Sequence, residues 1–261
     1  MNRLVTIPVS PYCEKARWAL DLVGLPYVED GHMPMLHWRR SYGAGGRRTV
    51  PVLALEGGPV LSDSTDILEE LARRAPQLGL YGEDEAQGRQ IRAWEERFDT
   101  GLGPHARRWA YHHLFPQKPV LLEIFRQGVP TGEVRLFSAV YPVAQLMMRA
   151  AMKINTPGYR RSLGSIEAVF HEVELALADG RPFLMGQRFT AADLTFASLA
   201  SVLVLPEQLP VPLPPAAGYA APMRAEIEQF QGSIAGRFAL RLYAEQRPRR
   251  PPVSERLSLP G

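Results

Sequence analysis

The chain has 261 residues, 46% of them apolar, which is enough to bury a core in one large domain or two modest ones. Its single cysteine excludes an intramolecular disulfide and any cysteine-cluster metal site, and fits a reducing, cytoplasmic setting. A formal charge of +3, with no aromatic residues among the basic residues of the tail, argues against a nucleic-acid partner.

The N-terminus enters a strand at once, without the charged and apolar regions of a signal peptide. Residues 4–7 are short and β-branched and read as a strand. Residues 11–23 read as a helix with Ala16, Ala19, Leu20 and Val23 on one face, ended by Gly24. Tyr27-Val28-Glu29 is a second strand, and residues 34–48 read as irregular. Two short strands, 52–55 and 59–61, flank a turn at Glu56-Gly57-Gly58. Residues 64–75 read as a helix with Ile67, Leu68, Leu71 and Ala75 inward. This order predicts a sheet with helical cover and an antiparallel edge over residues 1–78.

A Pro- and Gly-containing linker at 76–85 leads to an all-helical region expected over 86–246. Residues 87–113 carry Ile91, Trp94 and Phe98. Residues 165–178 form an amphipathic stripe, and 194–205 are apolar on nearly every side, the mark of a helix buried all round. Residues 115–164 predict one or two helices with loops. Within them, 136–152 are apolar but broken by Ser138, Pro142, Gln145 and Arg149, so a buried helix is expected and not a membrane span. Residues 206–222 are a proline-rich loop, and 247–261 read as a solvated, disordered tail.

Three pieces carry chemistry. Ser10-Pro11-Tyr12-Cys13 sits where a strand turns into a helix, and unpaired N–H groups with a positive dipole end there favour a thiolate. Val50-Pro51 opens a strand, where proline is unwelcome unless its bond is special. A cis peptide would leave the Val50 N–H and C=O free to pair with another peptide. Asp63-Ser64 precedes a helix, with Ser64 expected as its N-cap. The exposed N–H and hydroxyl suit a carboxylate, and Asp63 suits an ammonium. A ligand with a thiol, a peptide backbone and an α-amino acid end satisfies all three, and glutathione is such a ligand.

In this order the motifs resemble the N-terminal thioredoxin-like domain of cytosolic glutathione S-transferases, of a bacterial type with serine or cysteine at the site. Gly186-Gln187-Arg188-Phe189-Thr190-Ala191-Ala192-Asp193 resembles the family's capping motif, with Thr190 and Asp193 at capping-box spacing. The likeness covers about residues 1–113 and 163–205. It implies an α/β thioredoxin-like domain followed by an all-α domain, a homodimer, and glutathione as co-substrate with no metal.

By the same likeness, Val50 pairs with the cysteinyl backbone, Pro51 stands beside it in the glutathione site, and Asp63 and Ser64 hold the γ-glutamyl end. Pro11 and Tyr12 complete the site. Arg48 would reach the glycine carboxylate, against its plainer reading as part of a solvated basic turn. Ser10 is favoured over Cys13 as the group acting on sulfur, and the absent Cys-x-x-Cys pair rules out a two-thiol cycle within the chain. His105, Trp109 and Tyr111 would line the pocket of a small apolar electrophile, with core packing as the alternative for Trp109 and Tyr111. Thiol transfer through Cys13 is a second reading. A non-catalytic binding protein that uses residues 114–162 is a third.

Overall fold

The computed structural model describes residues 1–249. The N-terminal part runs β1 (Asn2–Thr6), α1 (Pro11–Val23), β2 (Tyr27–Gly31), α2 (His37–Gly43), β3 (Val52–Ala54), β4 (Val60–Leu61) and α3 (Ser64–Arg74). The sheet order is β2-β1-β3-β4. β1 and β2 are parallel, and β3 pairs antiparallel with both β1 and β4. Leu4, centred between Glu29 and Leu53, is fully buried. Gly24 ends α1 with φ 70°, a left-handed cap that glycine takes without Cβ strain, and its N–H returns to the last turn.

The helical part is α4 (Glu85–Gly101), α5 (Gly103–Leu114), α6 (Lys118–Phe125), α7 (Thr131–Ala151), α8 (Thr156–Ala176), α9 (Ala191–Val204), α10 (Ala221–Gly232) and α11 (Ile234–Gln246). α9 is the hub: it packs against α1, α4, α5, α10 and α11, and nearly all of its side chains are buried. Its start is fixed by the expected capping box. Asp193 accepts from the Thr190 N–H and hydroxyl, both at 2.8 Å, and from the Leu184 N–H at 2.8 Å. Burial pushes the Asp193 carboxyl up to about 6, against these hydrogen bonds.

Several expectations change. Residues 34–48 are not irregular throughout, because α2 forms inside them. The 87–113 stretch is two helices, with Leu102 at the junction and Pro104 in the first turn of α5. There the Tyr12 hydroxyl donates to the Asp99 carbonyl at 2.9 Å, and it lies so close to Gly103 that a Cβ there would collide with it. Residues 115–164 hold α6, α7 and the first half of α8. Residues 136–152 are not a buried helix: α7 buries Phe137, Tyr141, Ala144 and Met148 but exposes Leu136, Val140, Val143, Leu146 and Met147. Among the described residues no helix is long and apolar enough to cross a membrane.

The tail also differs where it is described. Arg247 is buried, and its guanidinium bonds Glu14 and Asp21, each at 2.7 Å. Glu14 and Glu29 in turn hold Arg17, which also donates to the Pro8 carbonyl. This buried ionic chain ties the end of α11 to α1 and β2. The remainder of the expected tail, residues 250–261, lies outside the described residues.

α7 is pinned to the sheet by His32, whose ring nitrogens bond Glu133 at 2.6 Å and Asp30 at 2.9 Å. Glu133 also accepts from the Met33 N–H at 2.9 Å. Burial opposes charge on His32, yet the bonds to Asp30 and Glu133 win, and its pKa is held above the ordinary value. A raised folded pKa adds stability that is fully present below the unfolded value, about 6.5, and lost as pH rises through the folded one. The melting-temperature gap between wild type and His32→Gln is therefore expected to be wider at about pH 5.5 than at about pH 8.5. An equal gap at both would place no charge on His32.

Candidate functional site

The turn from β1 into α1 aims Ser10 at a cavity of about 440 Å³. One wall is Ser10, Pro11, Tyr12, Arg48, Thr49 and Val50; the other is helical and includes Arg107, Tyr111, Phe125 and Met148. Ser10 is the N-cap of α1 by backbone position, since its carbonyl accepts from the Glu14 N–H at 3.0 Å. Its side chain makes no capping bond; the hydroxyl bonds the Cys13 thiol, and the residue is part of the cavity wall.

Cys13 lies about one helical turn on and is not part of the cavity wall. It is fully buried, and burial pushes its thiol up to about 12 in spite of the Arg17 charge and hydrogen bonds from the Ile7 backbone and Ser10. A thiol in that state holds almost no thiolate near neutrality.

The Val50–Pro51 peptide is cis, as the strand-opening proline suggested. Val50 lines the cavity, and Pro51 is buried behind it. Arg48 lies over the Trp38 ring, 3.9 Å from its centroid, and its carbonyl accepts from His37 Nε2 at 3.0 Å. Burial lowers the His37 pKa, which favours the neutral ring. Arg48 is exposed, as a solvated turn implies, and it also stacks on Trp38 and lines the cavity.

Asp63, not Ser64, is the N-cap of α3, and its carboxylate accepts from the Thr65 N–H at 2.8 Å. Ser64 is buried as the first helical residue. Neither lines the cavity. Beneath them Thr65 joins a buried charge network that the motifs did not announce. Lys15 Nζ bonds Thr65 at 2.9 Å, Asp99 at 3.0 Å and Glu95 at 3.1 Å, linking α1, α3 and α4. One oxygen each of Asp99 and Glu95 stays without a partner in that network.

Of the three residues expected in the electrophile pocket, only Tyr111 is there. It stacks on Phe115 at 5.0 Å, and burial pushes its phenol up to about 12. Trp109 is fully buried on another face of α5, donating to Glu226 at 2.5 Å and packing on Phe230. His105 bonds Ser162 at 3.2 Å and faces a separate surface basin with Arg97, Arg108, Lys153 and Arg161. The reason is helical rotation. Residues 107, 110, 111 and 114 share the face that lines the cavity, and 105 and 109 point away from it. That i, i+3, i+4, i+7 spacing was readable in the sequence. His37, Trp38 and Tyr219, also in the lining, come from short or irregular segments with no such signal. Among the described residues no group of three or more His, Cys, Asp or Glu side chains is arranged for a metal ion.

A four-stranded sheet with a cis-proline opening β3, followed by a bundle around a buried capped helix, defines a thioredoxin-like domain joined to an all-helical one. Residues 4–79 match the family model of the glutathione S-transferase N-terminal domain. No curated protein matches the chain. Solved structures do match over nearly the full length. One described as a possible glutathione S-transferase from Rhodopseudomonas palustris has TM-score 0.59 and 15% identity, covering 97% of each chain. A glutathione S-transferase from Methylobacillus flagellatus with glutathione bound has TM-score 0.55 and 18% identity, covering 92% of this chain and 98% of the other. A third, from Methylobacterium radiotolerans in complex with glutathione sulfonate, has TM-score 0.53 and 19% identity, covering 92% and 94%. Residues 4–79 thus match the glutathione S-transferase N-terminal domain, and the chain as a whole shares the two-part fold of these solved structures.

Proposed function

We propose that the chain is a glutathione-dependent transferase in which Ser10 activates the glutathione thiol for attack on an apolar electrophile. The observation that supports this most is the division of labour at α1. Ser10 is part of the cavity wall, whereas Cys13 is sealed in the core with its thiol pushed up to about 12. The same division weighs against thiol transfer through Cys13, which needs an accessible thiolate.

In this reading Val50 offers its backbone to the cysteinyl peptide of glutathione, and Pro11 and Tyr12 form the adjoining wall. Asp63 and Ser64 at the start of α3 take the γ-glutamyl end, and Arg48, held on Trp38, takes the glycine carboxylate. Ser10 Oγ–H donates to the sulfur. An ordinary thiol has a pKa of about 8.5, so stabilising the anion raises the reactive fraction at neutral pH. The thiol proton leaves to solvent. The sulfur lone pair forms an S–C bond to the electrophile, whose leaving group departs with its bonding pair. A cytoplasmic homodimer belongs to the same proposal and rests on the family likeness alone.

Calorimetric titration with reduced glutathione tests the binding half of this account. Saturable binding in the micromolar to millimolar range, about −8 to −4 kcal/mol, is expected. No heat of binding at several temperatures would overturn it.

A further inference from the structure

The cavity is apolar over most of its wall, yet it carries two arginines and no carboxylate. Arg48 and Arg107 are its permanently charged members, and no Asp or Glu lines it. His37 adds no charge near neutrality, because burial lowers its pKa. A cavity of this composition leaves two positive charges facing an apolar space.

Arg48 has a use within the proposed function, as the partner of the glycine carboxylate of glutathione. Arg107 has none. Its side chain is exposed toward the cavity, and it enters no ion pair or hydrogen bond among the described residues. Its charge is felt by the phenols of both Tyr12 and Tyr111, which belong to opposite walls of the cavity. The next residue makes the contrast. Arg108 donates to the Met152 carbonyl and to Ser162, both at 2.7 Å, and so is committed to packing between α5 and the start of α8. Two adjacent arginines on one helix thus have opposite fates: one is saturated by the fold, and the other is held open on the cavity wall.

We propose that Arg107 is a specificity-determining residue, and that the second substrate is an apolar electrophile carrying an acidic group, a carboxylate or a sulfonate, that pairs with its guanidinium. A planar fork of N–H donors matches such oxyanions in a bidentate fashion. The apolar part of the substrate then lies against Tyr111, Phe125 and Met148, with its reactive carbon toward Ser10. This inference rests on the transferase reading for the reaction but not for the binding, and the test separates the two.

The probes are 4-chloro-3-nitrobenzoate and its methyl ester, which share a reacting carbon and differ by one negative charge. Binding of each is measured by calorimetry, and turnover with glutathione by absorbance, in wild type, Arg107→Gln and Arg107→Lys. Wild type is expected to bind the acid more tightly than the ester. Arg107→Gln is expected to lower the acid-to-ester ratio about tenfold in both affinity and kcat/KM, the effect of losing one partly solvated charge-assisted contact. Arg107→Lys is expected to restore part of the ratio. An unchanged ratio in Arg107→Gln, or a wild type that prefers the ester, overturns the inference whether or not turnover is seen. Charge-selective binding that depends on Arg107, without any turnover, upholds the inference and sinks the transferase reading instead.

Discussion

Replacing Ser10 with alanine is expected to lower kcat/KM for conjugation of glutathione to an aryl halide by about a hundredfold or more near neutral pH. Removing one hydrogen-bond donor aimed at developing or resident negative charge costs about that much in enzymes that depend on it. The loss should fall on kcat, because the contacts proposed to hold glutathione involve Val50, Arg48 and the start of α3, not the Ser10 hydroxyl. It should shrink as pH rises toward the ordinary thiol pKa of about 8.5, where free glutathione supplies its own thiolate. Cys13→Ala provides the contrast. Cys13 is fully buried and does not line the cavity, so its replacement is expected to leave kcat/KM within about threefold and to lower stability only by the loss of one small buried group. Steady-state rates of both variants across pH check this. A collapse in Cys13→Ala, with a mixed disulfide on Cys13 seen by intact mass, would reverse the assignment.

Arg247→Ala is expected to be the most destabilising of the surface-remote substitutions, by about 3–5 kcal/mol. The arginine bonds Glu14 and Asp21, each at 2.7 Å, and its side chain is 1% exposed. Removing it leaves Glu14 to share the Arg17 charge with Glu29 and takes the Arg247 charge from buried Asp21, and the cost of disrupting the chain exceeds the worth of one pair. The Arg247 guanidinium also lies over the Trp18 ring, and Trp18 donates to the Gln246 carbonyl at 3.3 Å, so the end of α11 loosens as well. In a chain of this length the change corresponds to a fall in melting temperature on the order of 10 °C. Arg247→Lys should lose less, since it keeps the charge. Urea unfolding of the three proteins decides the matter, and a loss below about 0.5 kcal/mol for Arg247→Ala would mean the ionic chain is not holding α1.

Much of the fold is legible in the chain itself. The β-α-β, β-β-α order shows because strands and helices alternate with clear breakers: Gly24 after α1, and Gly57-Gly58 in the hairpin. The Thr190 and Asp193 capping box is a local device, so three residues suffice to read it. What stayed illegible depends on contacts distant in sequence or on rotation about an axis. α2 is seven residues long and abuts three closely spaced glycines, too short for a period to emerge. α7 carries apolar residues around most of its circumference and Pro142 within it, so burial could not be assigned to one face. Arg247 sits in a Pro- and Arg-rich end whose composition reads as solvated, and its partners Glu14 and Asp21 lie more than 220 residues away.

The site divides in the same way. The element-end positions of Ser10, Val50-Pro51 and Asp63 were readable because the backbone itself offers free groups there, and of these Ser10 and Val50 line the cavity. Yet the N-cap of α3 is one residue earlier than expected, since Asp63 and Ser64 are both good caps and only the backbone decides between them. On α5 the family likeness pointed to the helix that carries His105, Trp109 and Tyr111, whereas helical rotation selects Arg107, Tyr111 and Leu114 for the cavity wall.

The most direct test of the account is the ionisation of glutathione bound to the protein, followed by thiolate absorbance in the ultraviolet across pH, in wild type and in Ser10→Ala. The account predicts a bound thiol well below the free value in wild type, returned toward that value in Ser10→Ala while glutathione still binds. A bound thiol with an unshifted pKa in wild type, or a shift that survives the loss of the Ser10 hydroxyl, would contradict the role given to that residue.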